Sequence, residues 1–200
     1  PDTSPAKTPP SQAGLTVEIT GRQWFWDVEY PGADVRTANE IHIPVGEPVQ
    51  LRARTADVIH SVWIPRLNRK IDMIPGRTNT LTLEADRAGE YRGQCAEFCG
   101  LQHAHMAFWV VAEPRAAFRE WLSAQAEPAR APSTERLTVG QQVLLGSACV
   151  YCHRIAGTNA TGEVGPDLTH IASRRSLAAA TLPNTRGYLA GWILDPQHVK

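Results

Sequence analysis

The four cysteines of this 200-residue chain lie in two close pairs, and histidine follows each pair within a few residues. The first pair is Cys95 and Cys99, and the second is Cys149 and Cys152. A scaffold stabilised by disulfides usually spreads many cysteines along a shorter chain. Thiolates grouped with imidazoles are instead typical of metal and cofactor sites. The sequence therefore predicts two separate sites, one at each pair.

Charge and hydropathy exclude several classes of protein. The 20 Lys and Arg residues balance the 20 Asp and Glu residues, which argues against nucleic-acid binding. Hydrophobic residues make up 42% of the chain, an ordinary value for a globular protein. The longest nearly apolar stretch, residues 106–112, is too short to cross a bilayer, and residues 1–11 lack the apolar segment of a signal peptide. We expect the chain as given to be soluble, whatever may precede it.

Apolar periodicity changes along the chain and predicts two domains of different class. Apolar and polar residues alternate near residues 15–19, 49–53 and 81–83, with Pro and Gly turns between them, which indicates a β-sandwich or barrel. Apolar residues at helical spacing predict helices at 115–125, 137–148 and 184–194. The expected organisation is a flexible lead at 1–14, a β domain at 15–126, a linker at 127–136 and a small all-α domain at 137–200.

The first cysteine pair belongs to a loop that is rich in soft metal ligands. Cys95, Cys99, His103 and Met106 lie within twelve residues, and His60 lies 35 residues upstream of Cys95. Sulfur and imidazole select copper or zinc rather than calcium or magnesium. Two Cys and two His would complete a zinc site, and a disulfide is a further alternative. Methionine is a poor zinc ligand but a frequent axial copper ligand, so the pattern favours copper.

Several segments resemble subunit II of the haem-copper cytochrome c oxidases. They are the loop 95–106, the motif DVIHS at 57–61, the motif GRQWFW at 21–26 and the motif DMIPGR at 72–77, within a resemblance that covers about residues 15–113. The resemblance implies a cupredoxin-like Greek-key fold and a binuclear copper centre, CuA. Cys95 and Cys99 would bridge the two coppers, with His60, His103, Met106 and the main-chain carbonyl of Glu97 completing their coordination.

The same resemblance implies roles for residues near the proposed copper loop. The Glu97 side chain matches a position that helps to bind magnesium at the interface with the catalytic subunit, but it could simply be exposed. Trp24 matches the position where cytochrome c delivers its electron, although packing is the alternative. We expect Trp24 and Trp26 on one face of a strand and Phe25 on the other, with Trp26 serving only in packing.

Four further polar residues in this domain receive narrower expectations. His105 matches no ligand position and is expected to face solvent from a strand, and His42 is expected to be an ordinary strand histidine. Asp57 could cap a turn or assist proton or water traffic. Gln102 stands where many members of the family have Asn, which leaves donor docking in doubt but not copper binding.

The second cysteine pair forms the motif C-x-x-C-H, which is typical of covalent haem attachment. Cys149 and Cys152 would bond the haem vinyl groups and His153 would bind the iron, while a redox-active cysteine pair is the alternative. The segment GPDLT at 165–169 resembles class I cytochromes c, in which the proline carbonyl, here that of Pro166, accepts a hydrogen bond from the ligand imidazole. Leu189, Trp192 and Ile193 would then pack on the porphyrin.

The resemblance to class I cytochromes c is incomplete. Such domains usually supply a methionine as sixth iron ligand near their C-terminus, but the two methionines here are Met73 and Met106, both in the β domain. We therefore expect a C-terminally truncated haem domain. His170 or His198 is an alternative sixth ligand.

Together the two resemblances imply a subunit II from a bacterial terminal oxidase that carries its own haem donor. Electrons would pass from external cytochrome c or the fused haem c, through CuA, to the oxygen-reducing subunit I. N-terminal membrane helices, absent from this chain, would anchor it on the periplasmic side of the membrane. The alternatives are a free-standing electron carrier, a CuA-type nitrogen-oxide reductase module and a copper chaperone.

Overall fold

The computed structural model describes residues 14–67 and 69–200. The lead predicted at 1–14 therefore lies, except for Gly14, outside the described residues. Two five-stranded sheets hold most of the regular structure up to residue 113. In sheet order, the first contains β3 (Val35–Ala38), β2 (Phe25–Tyr30), β1 (Leu15–Arg22), β5 (Val49–Thr55) and β8 (Asn79–Leu83). The second contains β4 (Glu40–Pro44), β10 (Ala107–Glu113), β9 (Gly89–Cys95), β6 (His60–Trp63) and β7 (Ile71–Met73).

The predicted alternation of apolar and polar residues accounts for how the first sheet meets the core. Val49, Leu51 and Ala53 on β5 are fully buried, whereas Arg52 and Arg54, which alternate with them, are exposed. Within the two sheets, the strand pairs β1–β5 and β4–β10 are parallel and the other pairs are antiparallel. Because Trp26 and Phe108 from opposite sheets meet with ring centroids 5.1 Å apart, the two sheets share one apolar core.

A helix closes one end of this core. α1 (Arg115–Ala126) agrees with the helix predicted at 115–125 and directs Phe118 and Trp121 towards Tyr30 of β2. Pro114, directly before the helix, lacks the N–H that the first turn would leave unpaired. We call residues 15–126 the sandwich region.

Residues 135–200, which we call the second region, contain short helices joined by long loops. They are α2 (Glu135–Leu145), α3 (Cys149–Cys152) and α4 (Arg186–Leu194). The Thr134 hydroxyl caps α2 by accepting from the Leu137 N–H, so the helix begins inside the linker predicted at 127–136. A two-stranded hairpin, β11 (Ser176–Leu177) and β12 (Leu182–Pro183), lies before α4. The expectation of a purely helical second domain is therefore wrong in this respect.

The described part of the chain contains no helix that combines the length and the apolar character needed to cross a membrane.

Candidate metal centre

Among the described residues of the sandwich region, several side chains with sulfur and nitrogen donor atoms lie together at one end of the second sheet. His60 begins β6, Cys95 ends β9, and the loop between β9 and β10 carries Cys99 and His103. Met106 lies directly before β10. Ladder hydrogen bonds fix the two strand ends, including Ala96 N–H to Ser61 C=O at 2.9 Å and Cys95 N–H to Met106 C=O at 3.0 Å. These backbone hydrogen bonds therefore hold His60, Cys95 and Met106 next to one another.

The donor atoms are close enough to share metal ions. The Sγ atoms of Cys95 and Cys99 are 3.8 Å apart, which is about the separation of two sulfurs on one tetrahedral ion with metal–sulfur bonds near 2.3 Å. The His60 Nδ1 lies 3.9 Å from the Cys95 Sγ, and the His103 Nδ1 lies 3.6 Å from the Cys99 Sγ. One ligand atom from each of His60, Cys95 and Cys99 falls within a mutual 4.8 Å.

Two further ligands proposed from the resemblance lie against the same sulfurs. The Met106 Sδ lies 3.8 Å from the Cys99 Sγ, and Met106 is completely buried. The Glu97 carbonyl oxygen lies 3.2 Å from the Cys95 Sγ, while the Glu97 side chain is exposed. This donor set, with two thiolates, two imidazoles, a thioether and a carbonyl, fits soft transition metals, and its thioether fits copper better than zinc.

The imidazole of His60 is held from both sides. Its Nε2 lies 2.7 Å from an Asp57 carboxylate oxygen, which leaves Nδ1 to face the sulfurs. Asp57 also accepts hydrogen bonds from the backbone N–H groups of Gln23 and Val58. The turn-capping role considered for Asp57 is therefore present, and the carboxylate additionally orients His60, which sequence reasoning missed.

A glycine makes room for this histidine. A Cβ placed on Gly21 would lie 2.8 Å from the His60 Cδ2, closer than real carbon atoms approach. Only glycine permits this packing of β1 against the imidazole, so Gly21 is a second positioning residue that the spacing of the ligands did not reveal.

Burial and the contact between the two thiols give Cys95 and Cys99 different pKa values. Burial raises the pKa of Cys95, but hydrogen bonds from His60 and from backbone groups outweigh it and lower this pKa to about 6. Burial and the neighbouring Cys95 raise the pKa of Cys99 to about 12. Burial lowers the pKa of His60, but the contacts with Cys95 and Asp57 outweigh it, so this pKa is raised. Near neutral pH, these values make Cys95 the thiolate and Cys99 the protonated thiol of the pair.

Trp24 does not occupy the strand position expected for it. It lies in the turn before β2, half-buried, and its indole N–H donates to the Cys99 carbonyl at 3.0 Å. Trp26 is completely buried between His60 and Phe108, and Phe25 is also buried. The predicted opposition of faces fails because β2 is covered on both sides, whereas Trp26 does serve in packing.

The other polar residues near the site are arranged as follows. His105 is exposed, as expected, but it lies in a 3-10 turn rather than in a strand. His42 lies in β4, hydrogen-bonded to Glu40 and Glu113 and stacked on Trp121 at 3.9 Å between ring centroids. Gln102 is half-buried beside the loop.

The second cysteine pair borders a cavity. The His153 Nδ1 lies 2.7 Å from the Pro166 carbonyl oxygen, which is the hydrogen bond that the cytochrome resemblance implied. A Cβ on Gly165 would lie 2.6 Å from the imidazole, so glycine is again required beside a candidate ligand. The cavity, about 650 Å³, is lined by Cys149, His153 and a largely apolar wall. That wall includes Leu144, Leu168, Leu189, Trp192, Ile193 and Lys200, and from the sandwich region Trp24, Phe25 and Asn39.

The two histidines considered as sixth ligands are differently placed. The His170 Nε2 hydrogen-bonds to the Glu127 carbonyl at 2.8 Å, and neither His170 nor His198 is among the described residues that line the cavity. Met73 and Met106 are both buried in the sandwich core. The geometry therefore supports neither histidine as an iron ligand in this arrangement.

The packed sheets and the thiolate, imidazole and thioether loop define a metal-binding protein of cupredoxin-like fold. The family model for the periplasmic domain of cytochrome c oxidase subunit II matches residues 33–113. The crystal structure of the periplasmic domain of subunit II of the Bradyrhizobium japonicum oxidase (CoxB) superposes with a TM-score of 0.55 and 32% identity, over 57% of this chain and 94% of that chain. The chain belongs to the family of cytochrome c oxidase subunit II, whose members are components of an oxidoreductase complex.

Curated relatives extend the similarity into the second region. Cytochrome c oxidase subunit 2 of Alkalihalophilus pseudofirmus is 35% identical over 197 residues, which is 97% of this chain and 57% of that protein. The corresponding subunit of Bacillus sp. strain PS3 is 28% identical over 195 residues, 93% of this chain and 54% of that protein. The chain therefore spans little more than half the length of these relatives.

Proposed function

We propose that this chain receives electrons and passes them through a binuclear copper centre to the oxygen-reducing subunit of a terminal oxidase. The observation that carries the proposal is the mutual approach of the Cys95 and Cys99 sulfurs, each beside one imidazole. Two coppers bridged by two thiolates would share one unpaired electron, so each ion would change its charge and geometry little on reduction. We assign Cys95 and Cys99 as bridges, with His60, His103, Met106 and the Glu97 carbonyl as terminal ligands.

The surroundings of the loop support electron transfer rather than substrate chemistry. His60, Cys95, Cys99 and Met106 are buried, and their positions are fixed by strand hydrogen bonds and by Asp57. Because a rigid, buried donor set limits rearrangement, it lowers the barrier to electron transfer. We propose that electrons reach the copper centre through Trp24, whose indole N–H donates a hydrogen bond to the Cys99 carbonyl.

Exposed apolar side chains beside the loop support docking to a partner. Phe98 is 74% exposed and Leu101 is 93% exposed, and Ile59 is exposed near His60. Such a patch around a redox site is typical of a protein–protein interface. We assign it to the catalytic subunit I, with cytochrome c as the donor and with membrane helices of the longer protein holding the domain on the periplasmic side. A magnesium ion bound through the exposed Glu97 carboxylate at that interface stays a prediction.

We further propose that residues 137–200 of the second region form a cytochrome c-like domain, joined to the sandwich region by the linker 127–136. Cys149 and Cys152 would bond haem c, and His153 would bind its iron, supplying a one-electron carrier. The hydrogen bond to Pro166 supports this assignment because it fixes the ring and directs Nε2 away from the backbone. The apolar cavity beside Cys149 and His153 offers a volume suited to a porphyrin.

Two neighbouring histidines provide a direct test of the copper assignment. His103→Ala should remove a ligand and lower the copper content below two ions per chain, whereas His105→Ala should leave the copper content unchanged. Electron paramagnetic resonance of the oxidised parent chain should show one electron shared by two copper nuclei. Recovery of one zinc ion and no copper after copper-replete expression, or equal loss in both variants, would contradict the proposal.

A further inference from the structure

The turn between β1 and β2 carries a residue that the copper assignment does not use. Gln23 lies in this turn directly before Trp24 and is exposed. Its side-chain amide nitrogen donates a hydrogen bond of 2.8 Å to the carbonyl of Cys99, 76 residues further along the chain. The Trp24 indole N–H donates to the same oxygen at 3.0 Å. The turn therefore holds the peptide after Cys99 with two donors.

The residue after Cys99 is shaped for this contact. Gly100 has a φ of 116°, a backbone conformation that favours glycine. A Cβ at this position would lie 2.9 Å from the Trp24 Cζ2 and 3.1 Å from the Gln23 Nε2. Any larger residue would therefore push both side chains away from the Cys99 carbonyl. The glycine of the loop and the two donors of the turn are thus matched to each other.

Gln23 also contacts the part of the site that carries His60. Its backbone N–H donates at 2.7 Å to one carboxylate oxygen of Asp57, and the other oxygen of Asp57 lies 2.7 Å from the His60 Nε2. His60 begins β6, whereas Cys99 belongs to the metal loop, residues 95–106. One residue therefore connects two ligands that come from separate parts of the chain.

We propose that Gln23 is a positioning residue of the copper centre, which holds the Cys99 peptide against the turn and connects it to the carboxylate that orients His60. Its importance for electron transfer rests on the copper assignment proposed above, whereas the contact itself can be tested without metal. Because the carbonyl and the Sγ of Cys99 belong to one residue, fixing the carbonyl restricts the movement of the bridging sulfur. Gln23 would thus help to limit rearrangement on oxidation and reduction.

Carbonyl NMR tests the contact in the reduced, metal-free full chain. Cys99 is the only cysteine that glycine follows, so labelling with carbonyl-13C cysteine and 15N glycine isolates this peptide. Gln23→Met keeps the side-chain length but removes the donor, and it should move the Cys99 carbonyl carbon upfield because the oxygen loses one of its hydrogen bonds. The matched variant Gln94→Met, at an exposed glutamine of β9, should leave the resonance unchanged.

Copper-loaded chain tests the positioning role. Gln23→Met should increase the rate of copper transfer to a chelator several-fold and change the copper hyperfine splitting of the oxidised centre. The melting temperature of the metal-free chain should stay the same, because Gln23 is exposed and lies outside the core. A lower melting temperature with an unchanged hyperfine splitting would instead identify a merely structural residue and overturn the proposal.

The second donor makes this test robust. Since Trp24 donates to the same carbonyl, it could conceal the loss of Gln23, and the substitution is therefore repeated in a Trp24→Phe background, where its effect on copper release should be larger. Unchanged copper release after Gln23→Met in both backgrounds would overturn the proposal, as would an unchanged Cys99 carbonyl resonance.

The outcomes separate this proposal from the proposed function. An upfield shift in a chain that fails to bind copper would uphold the contact of Gln23 with Cys99 and refute the electron-transfer role. An unchanged carbonyl resonance in a chain that binds two coppers would uphold the copper assignment and refute the role of Gln23.

Discussion

The two candidate sites of this chain are built in opposite ways. The metal loop of the sandwich region, residues 95–106, connects the end of β9 to the start of β10 and lies beside the start of β6. It packs on a core in which Trp26, Ile41, Leu51 and Phe108 are fully buried. The helices of the second region contain no fully buried residue, and their apolar side chains line a cavity or face solvent. We therefore expect the site of the sandwich region to be held in place by its own core, whereas the fold of the second region should depend on the group that occupies its cavity.

The largest effect that this contrast predicts is on the folding of the second region. Replacing Cys149 and Cys152 by Ser prevents covalent attachment, and we expect the second region to lose its cooperative thermal transition. A ligand held at 1,000 times its Kd stabilises a fold by about 4 kcal/mol, and a tethered group should give at least that. Amide hydrogen exchange, resolved by region in the haem-loaded parent and the double variant, measures the loss.

The matched control makes the same double substitution at the other site. Replacing Cys95 and Cys99 by Ser should abolish copper binding but leave slow exchange in the strands of the sandwich region, because its core does not require the metal. If both double variants unfold their regions to the same extent, the contrast between the two sites is wrong.

The second prediction concerns the core on which the metal loop rests. Phe108→Ala should lower the free energy of unfolding of the sandwich region by about 3–5 kcal/mol, since a large ring is removed from a filled core. Val143→Ala on α2 should change the stability by less than about 0.5 kcal/mol, because Val143 is 67% exposed. Urea unfolding followed by tryptophan fluorescence measures both, and a large effect at Val143 would show that the second region has a core of its own.

The sequence predicted the local features of both sites better than their surroundings. Cys95, Cys99, His103 and Met106 share one loop, so their spacing alone brought them together, and the Pro166 hydrogen bond followed from a similarly local motif. The position of Trp24 was not predictable because its indole N–H bonds to the carbonyl of Cys99, a residue 75 positions further along the chain. The positioning roles of Gly21 and Asp57 depend on contacts with His60 that no spacing reveals.

The hairpin of the second region escaped prediction for a different reason. Its loop carries three consecutive alanines, Ala178, Ala179 and Ala180, at φ of 51°, 53° and 61°. Glycine and asparagine are the residues that normally signal a left-handed turn, whereas alanine disfavours this conformation. Tertiary contacts, such as the hydrogen bond from the Ala107 N–H to the Ala179 carbonyl, therefore override the local preference.

The third prediction tests whether the sandwich site is formed before metal arrives. In a reduced, metal-free chain carrying Cys149→Ser and Cys152→Ser, thiolate absorbance near 240 nm should rise as the pH increases through about 6, because the pKa of Cys95 is lowered to that value. Cys99, with its pKa raised to about 12, should contribute nothing near neutral pH. If Cys95→Ser removes this rise in absorbance, the titrating thiol is that of Cys95. A single rise near pH 9, the ordinary pKa of a cysteine thiol, would contradict the prediction and indicate that the loop is unstructured without metal.

The smallest expected effect lies at the carboxylate that orients His60. Asp57→Asn keeps one oxygen, which at the Oδ1 position can still accept from the Val58 N–H and from His60, but it replaces with an NH2 group the Oδ2 that accepts from the Gln23 N–H. The amide carries no charge, however, and binds the imidazole Nε2–H more weakly, which lowers the basicity of the Nδ1 that faces the metal. Loss of such a partner typically weakens metal binding by about 10–100-fold, and we expect the lower end because the hydrogen bond is weakened rather than removed.

Competition with a copper chelator measures this change, with Asp86→Asn, an exposed carboxylate of the same region, as the control. Unchanged affinity in Asp57→Asn would show that strand geometry alone holds His60 in place. The sandwich site would then be even more independent of its polar surroundings than the present comparison of the two sites implies. A loss beyond 100-fold, by contrast, would make Asp57 part of the scaffold rather than a modulator of His60, because the imidazole would then need the charged carboxylate to keep its orientation.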